Sequence, residues 1–333
     1  MDTLKLIPEG SLQDWQKIGQ GGFGILFRAR HTRWNFDVAV KKLTGDVSCE
    51  LKELLSEAHK MDKASSSPFV ITLFGILKED SGEKFKGIVM EYMENRCLAT
   101  LIYCIRPIPW ALKFRIIHQV ALGMNWLHSL VPPLLHLDLK PQNVLLTNNM
   151  EVKITDFGLS QFIHSGLGSD ENGGTVEYMP PEAFAKDYRP SKFTDVYSFA
   201  VLTAVVLKGE DPYPDVPSVL LRYRVRQGDR PDFKSLDSEQ LVKSLKEAIQ
   251  FTKCCWQQNF TERPSFDECC KQWEKLYLPH KEQIVDAVRQ VQDKMVRGSS
   301  KTTNTVTASS INMTEAIEKF QTLHFTEQMP AMQ

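Results

Sequence analysis

The sequence predicts an α+β fold in two lobes, a small strand-rich lobe with one key helix and a larger helical lobe. Three observations point there. Apolar and polar residues alternate at the period of strands through much of the first third. Beyond Asn95 the apolar residues recur at the helical period instead. One helical pattern, Cys49 to Lys63, interrupts the strand-rich part. Packed together, two such lobes would leave a cleft, and domain junctions are preferred ligand sites.

The strand pattern runs from Trp15 to Leu43, through Ile25-Leu26-Phe27-Arg28-Ala29-Arg30 and Asp37-Val38-Ala39-Val40-Lys41. In the helix that follows, Leu51, Leu54, Leu55, Ala58 and Met61 share one face, and Ser65-Ser66-Ser67-Pro68 ends it. Two further strand-like runs are Phe69 to Leu77 and Phe85 to Glu91. Ala111 to Leu130 reads as a long helix with Phe114, Ile117, Val120, Ala121, Met124 and Leu127 on its apolar side. Pro132-Pro133 stops it, because proline lacks the amide donor. Short strands carry Val144-Leu145-Leu146 and Val152-Lys153-Ile154, and helices resume from about Thr194. His280 to Arg297 fits one more amphipathic helix, with Ile284, Val285, Val288, Val291 and Met295 as its stripe.

Composition removes several function classes. The 333 residues carry 40 Lys and Arg against 41 Asp and Glu, a formal net charge of −1. No global field draws in nucleic acid or an anionic membrane. No secretory signal is legible after Met1, and no apolar run approaches the roughly 20 residues that span a bilayer. A cytoplasmic protein is expected, with neither nucleic acid nor membrane insertion among its partners. The seven cysteines show no C-x-x-C spacing, so neither a disulfide framework nor a zinc ribbon is expected. Cys254/Cys255 and Cys269/Cys270 read as small apolar residues on packed helices, with a four-thiolate metal site as the alternative.

Gly19-Gln20-Gly21-Gly22-Phe23-Gly24 fits G-x-G-x-x-G. The run allows three readings: a dinucleotide-binding turn, a nucleotide-phosphate loop within a hairpin, or a ligand-free turn. A dinucleotide turn leads into a helix, whereas these glycines lie between strand-like segments. Glycine lets backbone amides approach phosphate oxygens closely. Lys41 ends the next strand, where it could also simply snorkel to solvent. A phosphate-binding cation needs a carboxylate to hold it. Glu57 on the following helix is the preferred partner, by its flanking apolar residues, with Glu53 as runner-up.

The strongest segment is His136-Leu137-Asp138-Leu139-Lys140-Pro141-Gln142-Asn143, followed after two short strands by Asp156-Phe157-Gly158. Phosphoryl transfer to a hydroxyl needs a carboxylate near the attacking oxygen, which Asp138 can supply. Magnesium prefers hard oxygen ligands, and Asn143 and Asp156 offer them. Lys140 adds positive charge at the transferring group. A polar loop would explain any one of these residues, but not all of them in this order at these intervals.

From about residue 15 to about residue 278 the sequence resembles the protein kinase family. Met179-Pro180-Pro181-Glu182, Asp195-Val196-Tyr197-Ser198-Phe199 and Glu262-Arg263-Pro264-Ser265-Phe266 match its later motifs. The resemblance implies ATP and magnesium as cofactors and the bilobal kinase fold. It implies an Arg263–Glu182 salt bridge and a hinge at Glu91-Tyr92-Met93 that binds adenine through its backbone, with Met90 as gatekeeper. Leu26, Ala39 and Leu145 would sandwich the adenine beneath the loop from Ile18 to Ile25. Met61, His136 and Phe157 would belong to the stacked spine of the active state. The lobes would divide at about residue 92, after an N-terminal lead of residues 1–14. A C-terminal helix over 279–297 and a Ser/Thr-rich, partly disordered tail with a short last helix over 298–333 would follow.

Lys140 makes the loop similar to the serine/threonine form, since tyrosine kinases carry Ala or Arg there. Phe36-Asp37-Val38-Ala39-Val40-Lys41, Pro132-Pro133-Leu134-Leu135-His136 and Gly173-Gly174-Thr175 resemble the receptor-interacting protein kinases, with features of their second and third members. That resemblance implies protein substrates, inflammatory or cell-death signalling, and a kinase-domain dimer or a hetero-oligomer with related kinases. The alternative is a kinase-fold scaffold that senses nucleotide and acts through dimerisation. The subfamily's added signalling modules are not legible: Ile249-Gln250 lies inside a helical pattern and Val291-Gln292 continues into Asp293-Lys294. A short form, a fragment, or a relative without the module all fit.

Leu137 departs from the family, where an Arg commonly precedes the catalytic Asp and reads a phosphate on the activation loop. Leucine makes no charge-assisted bond. The expectation is therefore control by dimerisation or helix position, not by phosphate at Ser160, Ser165, Ser169 or Thr175. Activity of alanine variants at these positions tests it, and complete loss combined with a phosphate-dependent gain would count against it.

Overall fold

Period-two alternation requires a sheet with two distinct faces, and the computed structural model of the chain builds one. It describes residues 4–21, 24–42, 48–81, 84–95, 97–163, 174–214, 216–239 and 241–300. The chain opens on a strand that periodicity does not reveal, β1 (Leu6–Pro8), within the expected N-terminal lead. Then come β2 (Leu12–Gly21), β3 (Gly24–His31), β4 (Phe36–Lys42), helix α1 (Ser48–Ala64), β5 (Leu73–Lys78) and β6 (Phe85–Glu91). The six strands form one sheet in the order β1-β5-β6-β4-β3-β2. β1 pairs with β5 in parallel, while the other neighbours are antiparallel.

On one face of this sheet Ile7, Leu12, Ala29, Val38, Val40, Leu77 and Val89 form a buried cluster, bordered by Trp15, Phe27, Trp34 and Phe74. Helix α1 packs on β5 and β6, with Leu54, Ala58 and Met61 buried as its apolar spacing requires. The run Phe69 to Leu77 is shorter as a strand than alternation suggests, because β5 starts only at Leu73. Val70 instead bridges Ile154, whose amide donates to the Phe69 carbonyl at 2.8 Å.

The described chain divides into two compact units, one of residues up to Ser65, Ile71–Met93 and those from Gln292, the other of Ser66–Val70 and Glu94–Val291. The second unit contains α2 (Leu98–Cys104), α3 (Trp110–Ser129), β7 (Leu134–Leu135), β8 (Val144–Leu146), β9 (Val152–Ile154), β10 (Gln161–Phe162), α4 (Lys192–Lys208), α5 (Ser218–Arg226), α6 (Leu245–Cys255) and α7 (Phe266–Tyr277). α8 (Ile284–Ser300) begins in this unit. Every residue of α4 from Thr194 to Leu207 is buried, which marks it as the unit's core helix. Gly209 ends it with φ 76°, a left-handed cap suited to glycine. α3 lies against both α4 and α7, and Phe114, Ile117, Val120, Ala121, Met124 and Leu127 are buried there.

Two expectations about the C-terminal helix need refinement. α8 starts at Ile284 after a 3-10 segment, not at His280. Val285 points away from its stripe and is 74% exposed, while Ala287 is buried in its place. One position is about 100° of helix rotation, so Ala287 lies within about 60° of both Ile284 and Val291, while Val285 is turned about 100° away from Ile284. The cysteines follow the packing expectation at Cys255 and Cys269, which are buried with their sulfurs 3.9 Å apart and unbonded. Among the described residues no cluster of three or more His, Cys, Asp or Glu could hold a metal, and no helix is long and apolar enough to cross a membrane. Most of the tail expected over 298–333 lies outside the described residues.

The bridge implied between Arg263 and Glu182 forms as a fork, at 2.6 Å from Nη1 to Oε1 and 2.8 Å from Nη2 to Oε2. The guanidinium is fully buried and also donates to the carbonyls of Gln257 and Phe193 at 3.0 Å each. Removing one partner of such a pair leaves a buried charge uncompensated. Glu182→Ala is expected to cost about 3–5 kcal/mol, read as a lower urea midpoint by tryptophan fluorescence; a loss below about 1 kcal/mol would place the pair among weak surface bridges.

Candidate functional site

The small unit gathers one half of the expected residues on one face of its sheet. Opposite residues on paired strands share a face. Leu26 stands opposite Lys41, Ala39 opposite Met90, and Gly19 opposite Leu26. Leu26, Ala39, Lys41 and Met90 therefore look the same way, as an adenine-and-phosphate surface requires. β2 carries Ile18, Gly19, Gln20 and Gly21, and β3 carries Gly24 and Ile25. Gly21 pairs with Gly24, so the glycine run is the tip of a hairpin. This rules out the strand-to-helix turn of a dinucleotide site. Gly22 and Phe23 lie outside the described residues.

Lys41 Nζ donates to both carboxylate oxygens of Glu57 at 2.8 Å. Glu57 is 6% exposed, on the inward side of α1 beside Ala58, while Glu53 faces outward. The choice of Glu57 over Glu53 follows from helix phase. At the end of β6, Glu91 exchanges bonds with Thr72: its amide donates to the Thr72 carbonyl at 3.0 Å, and its carboxylate accepts from the Thr72 amide at 3.2 Å. Met93, 9% exposed, is the last residue of this unit's second segment, Ile71–Met93.

The large unit holds the other half. The Asp138 carboxylate is held at both oxygens. Oδ2 accepts from Asn143 Nδ2 at 2.9 Å and lies 2.8 Å from Lys140 Nζ; Oδ1 accepts from the Thr175 hydroxyl at 3.0 Å. Lys140 also donates to the Thr175 oxygen at 2.7 Å. Asp138, Lys140 and Asn143 are each less than a tenth exposed. Leu145 follows on β8, half-buried.

Beneath this loop sits Asp195, wholly buried in α4. Its carboxylate accepts from the His136 amide at 2.9 Å and the Leu137 amide at 2.8 Å, and lies 2.7 Å from His128 Nε2. Leu137 adopts φ 67°, a region that non-glycine residues enter at a cost of about 1–3 kcal/mol. Asp156 also has a φ of 67°. His136 lies tilted against Phe157, ring centroids 5.5 Å apart, and its Nε2–H donates to the Thr155 carbonyl at 3.0 Å. These two buried residues are the large unit's members of the implied spine; Met61 is buried in the small unit.

The donor set suits magnesium. Both described bonds of the Asn143 carboxamide use its nitrogen, to the Asp138 carbonyl and carboxylate, which leaves the hard Oδ1 for a cation. Asp156 supplies a carboxylate. Magnesium keeps several waters and phosphate oxygens, so two protein ligands suffice.

Thr175 is the residue whose role sequence reading missed. It entered the sequence reading only through the subfamily-like Gly173-Gly174-Thr175 and as a loop hydroxyl open to phosphorylation, yet its hydroxyl bridges Asp138 and Lys140. Ser160 needs a similar correction: it is 1% exposed and its hydroxyl donates to the His136 carbonyl at 3.1 Å, so it is a loop anchor. Ser165 and Ser169 lie outside the described residues.

Comparison with known proteins agrees with this geometry. The protein kinase domain family pattern matches residues 12–273. Receptor-interacting serine/threonine-protein kinase 2 of Bos taurus is 36% identical over 316 residues, covering 90% of this chain and 58% of the relative. Kinase 3 of the same series from Rattus norvegicus is 37% identical over 302 residues, covering 87% and 61%. Kinase 4 from Homo sapiens is 39% identical over 273 residues, covering 79% and 32%. The chain thus spans less than two thirds of the length of these relatives. A match that runs through both units and every motif described above leaves one assignment: the chain belongs to the protein kinase family, and its similarity is to the receptor-interacting serine/threonine kinases.

Proposed function

We propose that the chain transfers the γ-phosphoryl group of ATP to serine or threonine hydroxyls of protein substrates. The observation that carries this reading is the Asp138 carboxylate, held at both oxygens with Lys140 beside it. Asp138 orients the substrate hydroxyl and takes its proton as the new P–O bond forms and ADP leaves. Lys140 neutralises charge on the transferring group. Lys41, fixed by Glu57, holds the phosphates of the nucleotide. Asn143 and Asp156 would hold magnesium, which when bound would supply further neutralisation of the phosphates.

Lys140 and the likeness to serine/threonine kinases support hydroxyls of Ser and Thr over Tyr. A role in receptor-proximal inflammatory or cell-death signalling, in the cytoplasm and through a kinase-domain dimer or related kinases, rests on resemblance alone.

Incubation with labelled ATP, magnesium and a generic protein substrate tests the reading. Asp138→Asn is expected to lower labelling by about 10²–10⁴-fold. Equal labelling by both forms would leave only the nucleotide-sensing scaffold. Thr175→Ala is expected to lower kcat by up to about 100-fold through misplacement of Asp138 and Lys140, with a smaller change in KM for ATP. A kcat within two-fold of the unmodified enzyme would remove Thr175 from the site.

A further inference from the structure

Lys41 and Lys42 close strand β4 side by side, and consecutive side chains on a strand face opposite ways. Lys41 turns to α1 and pairs with Glu57. Lys42 turns to the other face, where its ammonium lies 4.2 Å over the Trp15 ring and 2.6 Å from Glu9 Oε1. The end of β4 is thus gripped by two carboxylates from opposite sides of the sheet. Only the Glu57 side belongs to the motif set that carries the proposed activity.

Glu9 is fixed in turn. Its second oxygen, Oε2, is 2.7 Å from Lys86 Nζ, next to β6 residue Gly87, which pairs with Lys42; Lys86 also bridges Glu79 at 2.8 Å. The adjacent Gly10 amide donates to Asp80 Oδ2 at 2.8 Å. Upstream, Ile7 is 1% exposed in the sheet's buried cluster, and β1 pairs in parallel with β5. The fit at β5 is close. The Ile76 amide donates to the Lys5 carbonyl at 2.8 Å, and a Cβ on Gly75 would stand 2.1 Å from that carbonyl oxygen, at φ 152°. The hydrogen bonds from Lys42 and then Lys86 hold the Glu9 carboxyl below the usual carboxylate range, so the network is charged at neutral pH. Linked charges hold geometry better than a lone exposed pair.

We propose that the segment of residues 5–10 is a positioning element for Lys41, with Glu9 as its positioning residue. The physical link is the planar peptide that joins Lys41 to Lys42: a roll of the strand end that releases Lys42 carries Lys41 away from Glu57 and from the nucleotide phosphates. Displacements of about 1 Å at such a group are enough to be felt in function. The inference rests on the kinase reading, in which Lys41 contacts ATP.

ATP affinity, measured by displacement of a fluorescent ATP analogue, tests it in five proteins: the unmodified chain, Glu9→Gln, Lys41→Met, the double variant and Gly75→Ala. Glu9→Gln is expected to weaken ATP binding by about five-fold, the scale of one network contact, and by less than two-fold in the Lys41→Met background. Gly75→Ala, which drives the Lys5 carbonyl off β5, is expected to reproduce the weakening without touching any charge. Equal weakening by Glu9→Gln in both backgrounds would mean a general loosening of the lobe and would overturn the proposal. So would unchanged affinity in Glu9→Gln or in Gly75→Ala, even with a lower unfolding midpoint. If the unmodified chain fails to bind ATP, the kinase reading itself falls and this inference with it; binding by the unmodified chain with no response to Glu9→Gln sinks the inference alone.

Discussion

A single buried carboxylate sets the backbone on which the large unit's chemistry depends. Asp195 lies inside α4, where burial pushes its carboxyl up. The His128 hydrogen bond and charge, the His136 charge and the Leu137 amide outweigh this and bring it below the usual range. It therefore stays ionised, and as an acceptor it takes the amides of two consecutive residues, His136 and Leu137. Those bonds hold Leu137 at φ 67°, a conformation leucine does not choose unaided. The turn so enforced delivers Asp138 to Asn143, Lys140 and Thr175. The strain sits one residue from the Asp138 carboxylate, and the bonds that offset it come from the unit's most buried helix.

The small unit solves a different problem, holding a flexible lysine at one place. Its means are electrostatic on both faces of one sheet. Glu57 takes Lys41 from the α1 side, where it is nearly buried. On the opposite face a second apolar cluster is covered by the first strand and by Leu12, and Glu9 stands at its border with Trp15 and Lys42. A sheet that is buried on only one face can leave its other side polar. Here both faces carry apolar residues, because the N-terminal segment folds back over one of them. That segment is therefore paired into the small unit's sheet.

Much of this was legible in the residues, and the exceptions have physical causes. Glu57 was distinguishable from Glu53 because helix phase follows directly from the apolar spacing of α1. The Arg263–Glu182 fork was legible only through resemblance, since nothing local ties residues 81 positions apart. Val285 was placed on the wrong face because a valine suits an apolar stripe by type, while phase favours the smaller Ala287. β1 was missed because three residues are too few for periodicity to register, and its partner β5 lies about 70 residues away. Ser160 and Thr175 were named only as loop hydroxyls open to phosphorylation, and the structure shows their hydroxyls bonded within the loop, which residue type does not reveal.

By itself the sequence determined the class of fold, the order of the motifs and the chemical type of each acting group. Those follow from local periods and from residue chemistry, which travel with the chain. The tertiary structure alone decided which of those groups are held and by what. Asp195 reaches the amides of His136 and Leu137 from about 60 residues away, Thr175 reaches Asp138 from 37, and Glu9 reaches Lys42 from 33. Hydrogen bonds and ion pairs form at contact distance whatever the separation along the chain, so their pattern comes into being only when packing has brought the partners together.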